Sequence, residues 1–292
     1  MTKPSVLSAL TLTVLLTAGA AARAQQEQSA PPAAAPPAAP AAPASPTPEE
    51  AAEGKALLES AIKAHGGEAF LKMKSLRVTG KGELTAPENQ GGFKLPLDTV
   101  TLLTAAPGRS RLDAESVFGR LSFGAPGGGK KAWYRLGEGS ASDLPSAETP
   151  FADPTAVLRG AVGGDLVRSL RVDPAVVIPD AKALKAFEIR GAGGATSEVY
   201  VDADTSLIRR VRTKAGKNDI VTLLGGYKAV SGVQLPTALT VRQNGVDLLA
   251  LTLTGVEVDV PVEEKVFEKP VSPTAAAPTT TDPAAAPPPG GA

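Results

Sequence analysis

The sequence predicts a mainly β protein of the α+β class, a long antiparallel sheet curved around helices. Three observations predict it. After Lys74 the apolar residues recur with a period of two, the spacing of a strand buried on one face. Short turn-forming pairs separate the runs, and short loops join antiparallel neighbours. One helical stripe precedes the strands and a second interrupts them.

The elements follow in order. Glu49, Glu50 and Glu53 place negative charge in a first helical turn, where the helix dipole favours it. Leu57, Leu58, Ala61 and Ile62 make one apolar stripe, and Gly66-Gly67 ends the helix. Phe70, Leu71 and Met73 give a short second turn. Strands are expected over 75–84, 97–105, 109–114, 117–123, 131–136, 186–190, 197–202, 207–214, 219–229, 234–243 and 246–258. The turns between them are Pro107-Gly108, Asp202 to Ser206, Gly216 to Asp219, Ser231-Gly232 and Asn244-Gly245. Asn-Gly is the strongest of these, because a type I′ hairpin turn needs positive φ at both positions. Between the fifth and sixth strands, Asp153-Pro154 opens a helix continued by Val157, Leu158, Ala161, Leu166, Val167 and Leu170.

The two ends are not domain. Lys3, an apolar run from Val6 to Ala22 and Ala22-Arg23-Ala24 read as a signal peptide over 1–24, with the mature chain expected to start at Gln25. The run is too short and too diluted by Ala and Thr for a membrane span. Residues 25–48 are a Pro/Ala-rich disordered linker, holding 8 Pro and 9 Ala within 29–48. Residues 271–292 form a similar disordered Pro/Ala/Thr tail. The domain is 49–270, long enough to bury a core without staples.

Composition excludes several chemistries. There is no cysteine, hence no disulfide, thiolate nucleophile or acylated N-terminal Cys. One histidine, His65, rules out a His-cluster zinc site. Equal counts of 30 basic and 30 acidic residues argue against an electrostatic nucleic-acid binder. A periplasmic or secreted location is expected, with no transmembrane span in the mature chain. Aromatics number 11 of 292, so an interior lined by Leu, Val and Gly has room for an apolar cavity.

Tyr200 to Leu207, Tyr227 to Pro236, Val256 to Asp259 with Val266 to Pro270, and Ala64 to Gly67 with Leu71 and Ser75-Leu76 are four stretches that resemble the periplasmic lipoprotein-carrier-like superfamily of outer-membrane lipoprotein sorting. Tyr200-Val201-Asp202-Ala203-Asp204-Thr205-Ser206-Leu207 is similar to its Y-V-D-x-x-T-G-L hairpin, with Ser206 in place of Gly. Tyr227 to Pro236 resembles its Y-x-x-V-x-G-V-x-L-P turn. Val256 to Asp259 and Val266 to Pro270 resemble its closing strand and F-x-x-P. Ala64-His65-Gly66-Gly67 with Leu71 and Ser75-Leu76 resembles its opening. Related domains occur beside pitrilysin-type zinc peptidases. The resemblance covers most of 55–270 and implies an unclosed antiparallel β-barrel of about eleven strands, with an N-terminal helix and a lid helix over an apolar cavity.

It also implies function: a non-enzymatic carrier or sensor for a lipid acyl chain or lipoprotein. The ligand-binding candidates are Leu102, Leu121, Phe123, Val199, Val201, Leu223, Leu251 and Leu253 from the strands, with Leu158 and Leu166 from the lid. Alternation alone leaves open which face is inside. The alternative is a non-catalytic interaction or structural module of the envelope with a filled core, acting on an envelope protein partner or beside a peptidase.

Other motifs read as structure. Gly124 to Lys131 imitates a phosphate-binding loop, but Lys131 stands where Ser or Thr should hold magnesium and a strand follows where a helix is needed. Asp202-x-Asp204-x-Ser206 opens like a calcium loop, yet Leu207 and Thr213 occupy the Gly and Glu positions. His65 reads as a helix cap. No cofactor, metal or catalytic residue is expected. Arg209, Arg210, Arg212, Lys214 and Lys217 form a basic cluster, read as a solvated edge or as a seat for an anionic headgroup. Alternation pairs Arg210 with Arg212 on one face and Arg209 with Val211 on the other.

Overall fold

The computed structural model describes residues 45–86, 92–144, 154–162, 166–191, 196–215 and 218–270. The signal segment, nearly all of the linker and the tail lie outside the described residues, as do Asp153, Gly163, Gly164 and Lys217.

The first helix, α1 (Pro48–Ala64), starts on a capping box: Thr47 Oγ1 accepts from the Glu50 N–H at 3.2 Å, and Glu50 accepts from the Thr47 N–H at 2.8 Å. Those hydrogen bonds hold the Glu50 carboxyl below the usual range. Pro48 fits the first helical position because its missing N–H would have no partner there. The helix buries Gly54, Leu58, Ala61 and Ile62. A short helix α2 (Glu68–Lys72) follows and buries Phe70 completely.

Fifteen strands follow among the described residues. They are β1 (Ser75–Thr85), β2 (Lys94–Ala105), β3 (Arg109–Ser116), β4 (Gly119–Ala125), β5 (Trp133–Leu136), β6 (Ser142–Asp143), β7 (Val167–Leu170), β8 (Leu184–Arg190), β9 (Thr196–Asp202), β10 (Ile208–Ala215), β11 (Asn218–Gly225), β12 (Lys228–Val230), β13 (Val233–Leu235), β14 (Ala238–Gln243) and β15 (Val246–Val258). Thirteen of them form one sheet in the order β6-β5-β4-β3-β2-β1-β15-β14-β11-β10-β9-β8-β7, and every pairing is antiparallel. Its ends, β6 and β7, do not meet, so the barrel is unclosed. The first and last long strands, β1 and β15, pair at the centre and tie the two halves together.

The sheet packs one face on the helices. A single core joins Leu58, Ile62 and Phe70 to Leu102, Leu121, Val199 and Leu251. The hairpin β12–β13 leaves the sheet between β11 and β14 and folds over this core, burying Val233 and Leu235. Its second strand meets the end of α1, where the Gln234 N–H donates to the His65 carbonyl at 3.0 Å. Two of the stretches singled out in the sequence, Ala64 to Gly67 and Tyr227 to Pro236, are therefore partners in space.

Four expectations differ from the structure. The helix after Pro154 is α3 (Ala156–Gly160), and Val167 to Leu170 form an edge strand instead of its continuation. The open edge of β8 supplies backbone partners to that segment, which a helix interrupted by Gly163-Gly164 could not match. The expected strand 219–229 breaks at Gly226, which has φ 61°, and 234–243 breaks at Pro236. Strand β6 is two residues long and carries no periodic signal. Finally, a bulge between Ile208 and Arg210 turns both Ile208 and Val211 into the core, so Arg209 does not share a face with Val211.

The outer face carries ion pairs. Arg111 holds Asp113 at 2.8 Å, and Ser122 donates to Asp113 at 2.6 Å. Burial raises the Asp113 pKa, but these hydrogen bonds and the charges of Arg111 and Arg120 outweigh it, and the net shift is downward. The folded value lies below the unfolded one. The stabilisation is therefore present above about pH 4 and is lost as pH falls through the folded value. Unfolding by urea at pH 6 and pH 3 is expected to show the loss, and Asp113→Asn is expected to shrink it. An unchanged difference in the variant would refute the assignment.

Candidate functional site

The candidates named from the sequence fall into three groups. Leu102, Leu121, Leu158, Val199, Val201, Leu251 and Leu253 are buried on the helix-covered face, and Phe123 packs against them half-buried. Leu223 lies on the other face: its register partners are Arg210 and Thr240, while its neighbour Leu224 points inward. The alternation was in the wrong phase for β11. Leu166 is 48% exposed and precedes β7 instead of sitting in a lid helix.

The buried group forms a packed core. Leu58, Ile62, Phe70 and Leu158 from the three helices fill the space over the sheet. Among Leu76, Leu102, Leu239, Leu251 and Leu253 lies a cavity of about 30 Å³. That is far below the roughly 300 Å³ at which ligand clefts begin.

The large opening lies on the other side of α1. A groove of about 770 Å³ runs between α1, α2 and the residues Ala161, Val162, Leu166 and Val167. Its floor is apolar, made by Leu58, Ile62, Leu71, Ala161, Leu166 and Val167. Lys55, Glu59, Lys63 and Glu68 stand along it. Leu71, Val162 and Leu166 are 36, 51 and 48% exposed, so the groove presents apolar surface to water. Its size falls within the range of about 300–1,000 Å³ typical of ligand clefts. Of its residues only Leu166 was a candidate from the sequence. Leu71 was legible as apolar, but only the crossing of α1 over β7 and β8 makes a groove of it.

That crossing depends on Gly54. A Cβ built there would overlap the Arg168 carbonyl carbon and lie 2.6 Å from the Ser169 nitrogen, so α1 and β7 touch backbone to backbone.

The remaining motifs are structural. Gly124 to Lys131 spans the β4–β5 hairpin; three consecutive glycines take positive φ, and Lys130 pairs with Glu268 at 2.9 Å. Asp202 accepts from the Asp204 and Thr205 N–H groups at 3.1 and 2.9 Å and from the Thr205 hydroxyl at 3.0 Å, which closes the β9–β10 turn. Burial raises its pKa, but these bonds bring it below the ordinary value. His65 is fully buried, bonds the Ala61 carbonyl through Nδ1 at 2.8 Å and packs edge-on to Tyr227. In the basic cluster, Arg212 forks onto Asp219 at 2.8 and 2.8 Å, Lys214 lies 3.6 Å from Glu198, Arg210 stacks 4.7 Å over Tyr200, and Arg209 donates to the Pro179 carbonyl. The fork raises the Arg212 pKa further and lowers that of Asp219. Among the described residues no group of three or more His, Asp or Glu could hold a metal ion, and no helix is long and apolar enough to cross a membrane.

The arrangement defines a class: an open antiparallel half-barrel with helices packed across its concave face. No family model and no curated protein matches the chain. Among solved structures it is similar in fold to a LolA superfamily protein from Nitrosomonas europaea, at 12% identity and a TM-score of 0.48, covering 74% of this chain and 97% of that one. It is also similar to a DUF1329 family protein from Desulfovibrio piger, at 12% identity and a TM-score of 0.49, covering 75% and 97%.

Proposed function

We propose that the protein is an exported, non-enzymatic carrier or sensor that holds the acyl chain of a lipid or lipoprotein. The observation that carries this reading is the groove of about 770 Å³ with its apolar lining, of which Leu71, Val162 and Leu166 are exposed to water. An extended acyl chain gains roughly 0.8 kcal/mol for each CH₂ it buries, and an open groove admits it without unfolding the core. The chain therefore lies beside α1 and not between the helices and the sheet.

Among the described residues, the side chains packed under the helices around a cavity of about 30 Å³ favour a second reading: an envelope interaction module whose apolar groove receives a protein partner.

Native mass spectrometry of the exported protein distinguishes them. The expected result is a lipid-sized mass increment and binding of a fluorescent fatty acid. Both are expected to disappear in Leu71→Glu with Val162→Glu, whose side chains are exposed and leave the melting temperature unchanged. A wild-type protein that carries no lipid and binds no fatty acid replaces the carrier with the interaction module.

A further inference from the structure

A second recess, of about 350 Å³, lies across α2 and α3 from the groove. Its chemistry is the opposite. Lys74 comes from the loop before β1, Arg109 from the start of β3 and Arg159 from α3, so three cations from three elements converge. Between them are the hydroxyls of Ser75, Thr104 and Ser110, all buried. Among the described residues no acidic side chain lines the recess.

Two of the cations have donors to spare. Arg109 gives one terminal nitrogen to Glu264 at 3.1 Å and the other to the Ala106 carbonyl at 2.5 Å. Its Nε is buried and has no hydrogen-bond partner among the described residues. The Lys74 ammonium forms no ion pair among the described residues; only its backbone N–H is engaged, by Asp259. A buried donor without a partner costs stability, and an oxyanion would satisfy it.

The recess and the groove share a wall. Arg159 stacks 5.0 Å over the Phe70 ring, and this contact separates them. At the end of α2, Leu71 borders the groove and Met73, just beyond it, the recess; at the end of α3, Gly160 borders the recess and Ala161, just beyond it, the groove. Two residues span at most about 7.6 Å. The two openings thus meet at this contact, and an amphiphile whose chain lies in the groove carries its head over it to the cations.

We infer that the recess seats the phosphate or carboxylate headgroup of an anionic amphiphile whose acyl chain occupies the groove. This rests on the chain-binding reading above. Lys74, Arg109 and Arg159 supply the positive charge, and the Thr104 hydroxyl lines the recess beside them, while the Ser75 hydroxyl is held by the Val260 carbonyl at 2.7 Å. Neutral amphiphiles keep the chain contacts and lose these.

The test compares three probes on the full mature chain by displacement of a fluorescent fatty acid: a single-chain lysophosphatidic acid, a monoacylglycerol of the same chain, and inorganic phosphate. The lysophosphatidic acid is expected to bind about tenfold or more tighter than the monoacylglycerol at low salt, and less so as salt screens the charges. Lys74→Glu is expected to remove most of that preference. Arg159→Gln, with the fold verified by circular dichroism, is expected to reduce it as well. Equal binding of the two lipids by the wild type, or a preference that survives both variants, overturns the headgroup assignment and leaves the chain reading standing. Failure of both lipids to bind overturns the chain reading and this one with it. Phosphate binding as tightly as the lysolipid makes a free oxyanion the occupant and overturns the amphiphile.

Discussion

Trp133→Ala and Phe267→Ala are each expected to cost about 3–5 kcal/mol in urea unfolding, the usual range for emptying a buried aromatic site. Both side chains are fully buried, yet neither belongs to the core under the helices. They hold the last described stretch of the chain against the outer face of β3–β5. Trp133 Nε1 donates to the Phe267 carbonyl at 2.9 Å, and Arg111 donates to the Val266 carbonyl at 2.8 Å. Arg109 stacks 5.5 Å over Phe267, and Arg111 5.7 Å over Trp133. The indole lies flat on Gly124, where any Cβ would collide with it. Because the two rings depend on one anchor, the double variant is expected to lose less than the two single losses together. A loss below about 1 kcal/mol for either single variant would show that the strap contributes nothing to the fold.

Gly54→Ala is expected to destabilise the protein by roughly 1–3 kcal/mol, against the sign of helix propensity. In an open helix the change would gain about 1 kcal/mol. Here the added methyl meets the β7 backbone at Arg168 and Ser169, and backbone cannot rotate out of the way. The helix must lift, and with it go Leu58 and Ile62, which line the groove. Fatty-acid binding is therefore expected to weaken together with stability. Gly160→Ala is the control: a Cβ there meets nothing within 4 Å, so it is expected to be neutral or stabilising by a few tenths of a kcal/mol. If Gly54→Ala raised the melting temperature as Gly160→Ala does, the close crossing of α1 on β7 would be wrong.

Much of the architecture was legible because local chemistry and tertiary need agreed. Asn244-Gly245 and Ser231-Gly232 take φ of 51° and 85° and of 51° and 81°, the backbone that a type I′ turn demands. Leu249, Leu251 and Leu253 alternate along β15, and all three face the core. Where a segment satisfied two periods, the sequence could not choose. Val167 and Leu170 stand three apart, which suits a helix, and they became strand because β8 offered an unpaired edge. Leu223 and Leu224 are adjacent and equally apolar; the register with β10 and β14 decided which one turned inward.

The candidate site divides in the same way. By itself the sequence determined a curved antiparallel sheet, the N-terminal helix with its apolar stripe, the hairpin turns and the absence of thiol chemistry, because each follows from residue type and spacing along one stretch of chain. Only the tertiary structure decided that the leucines and valines of the concave face are packed core, that the open apolar surface lies beside α1, and that Lys74, Arg109 and Arg159 share one recess. These are volumes and juxtapositions between segments far apart in the chain. They depend on how closely α1 can approach β7, and the one residue that permits it, Gly54, looks in the sequence like nothing more than a weak point in a helix.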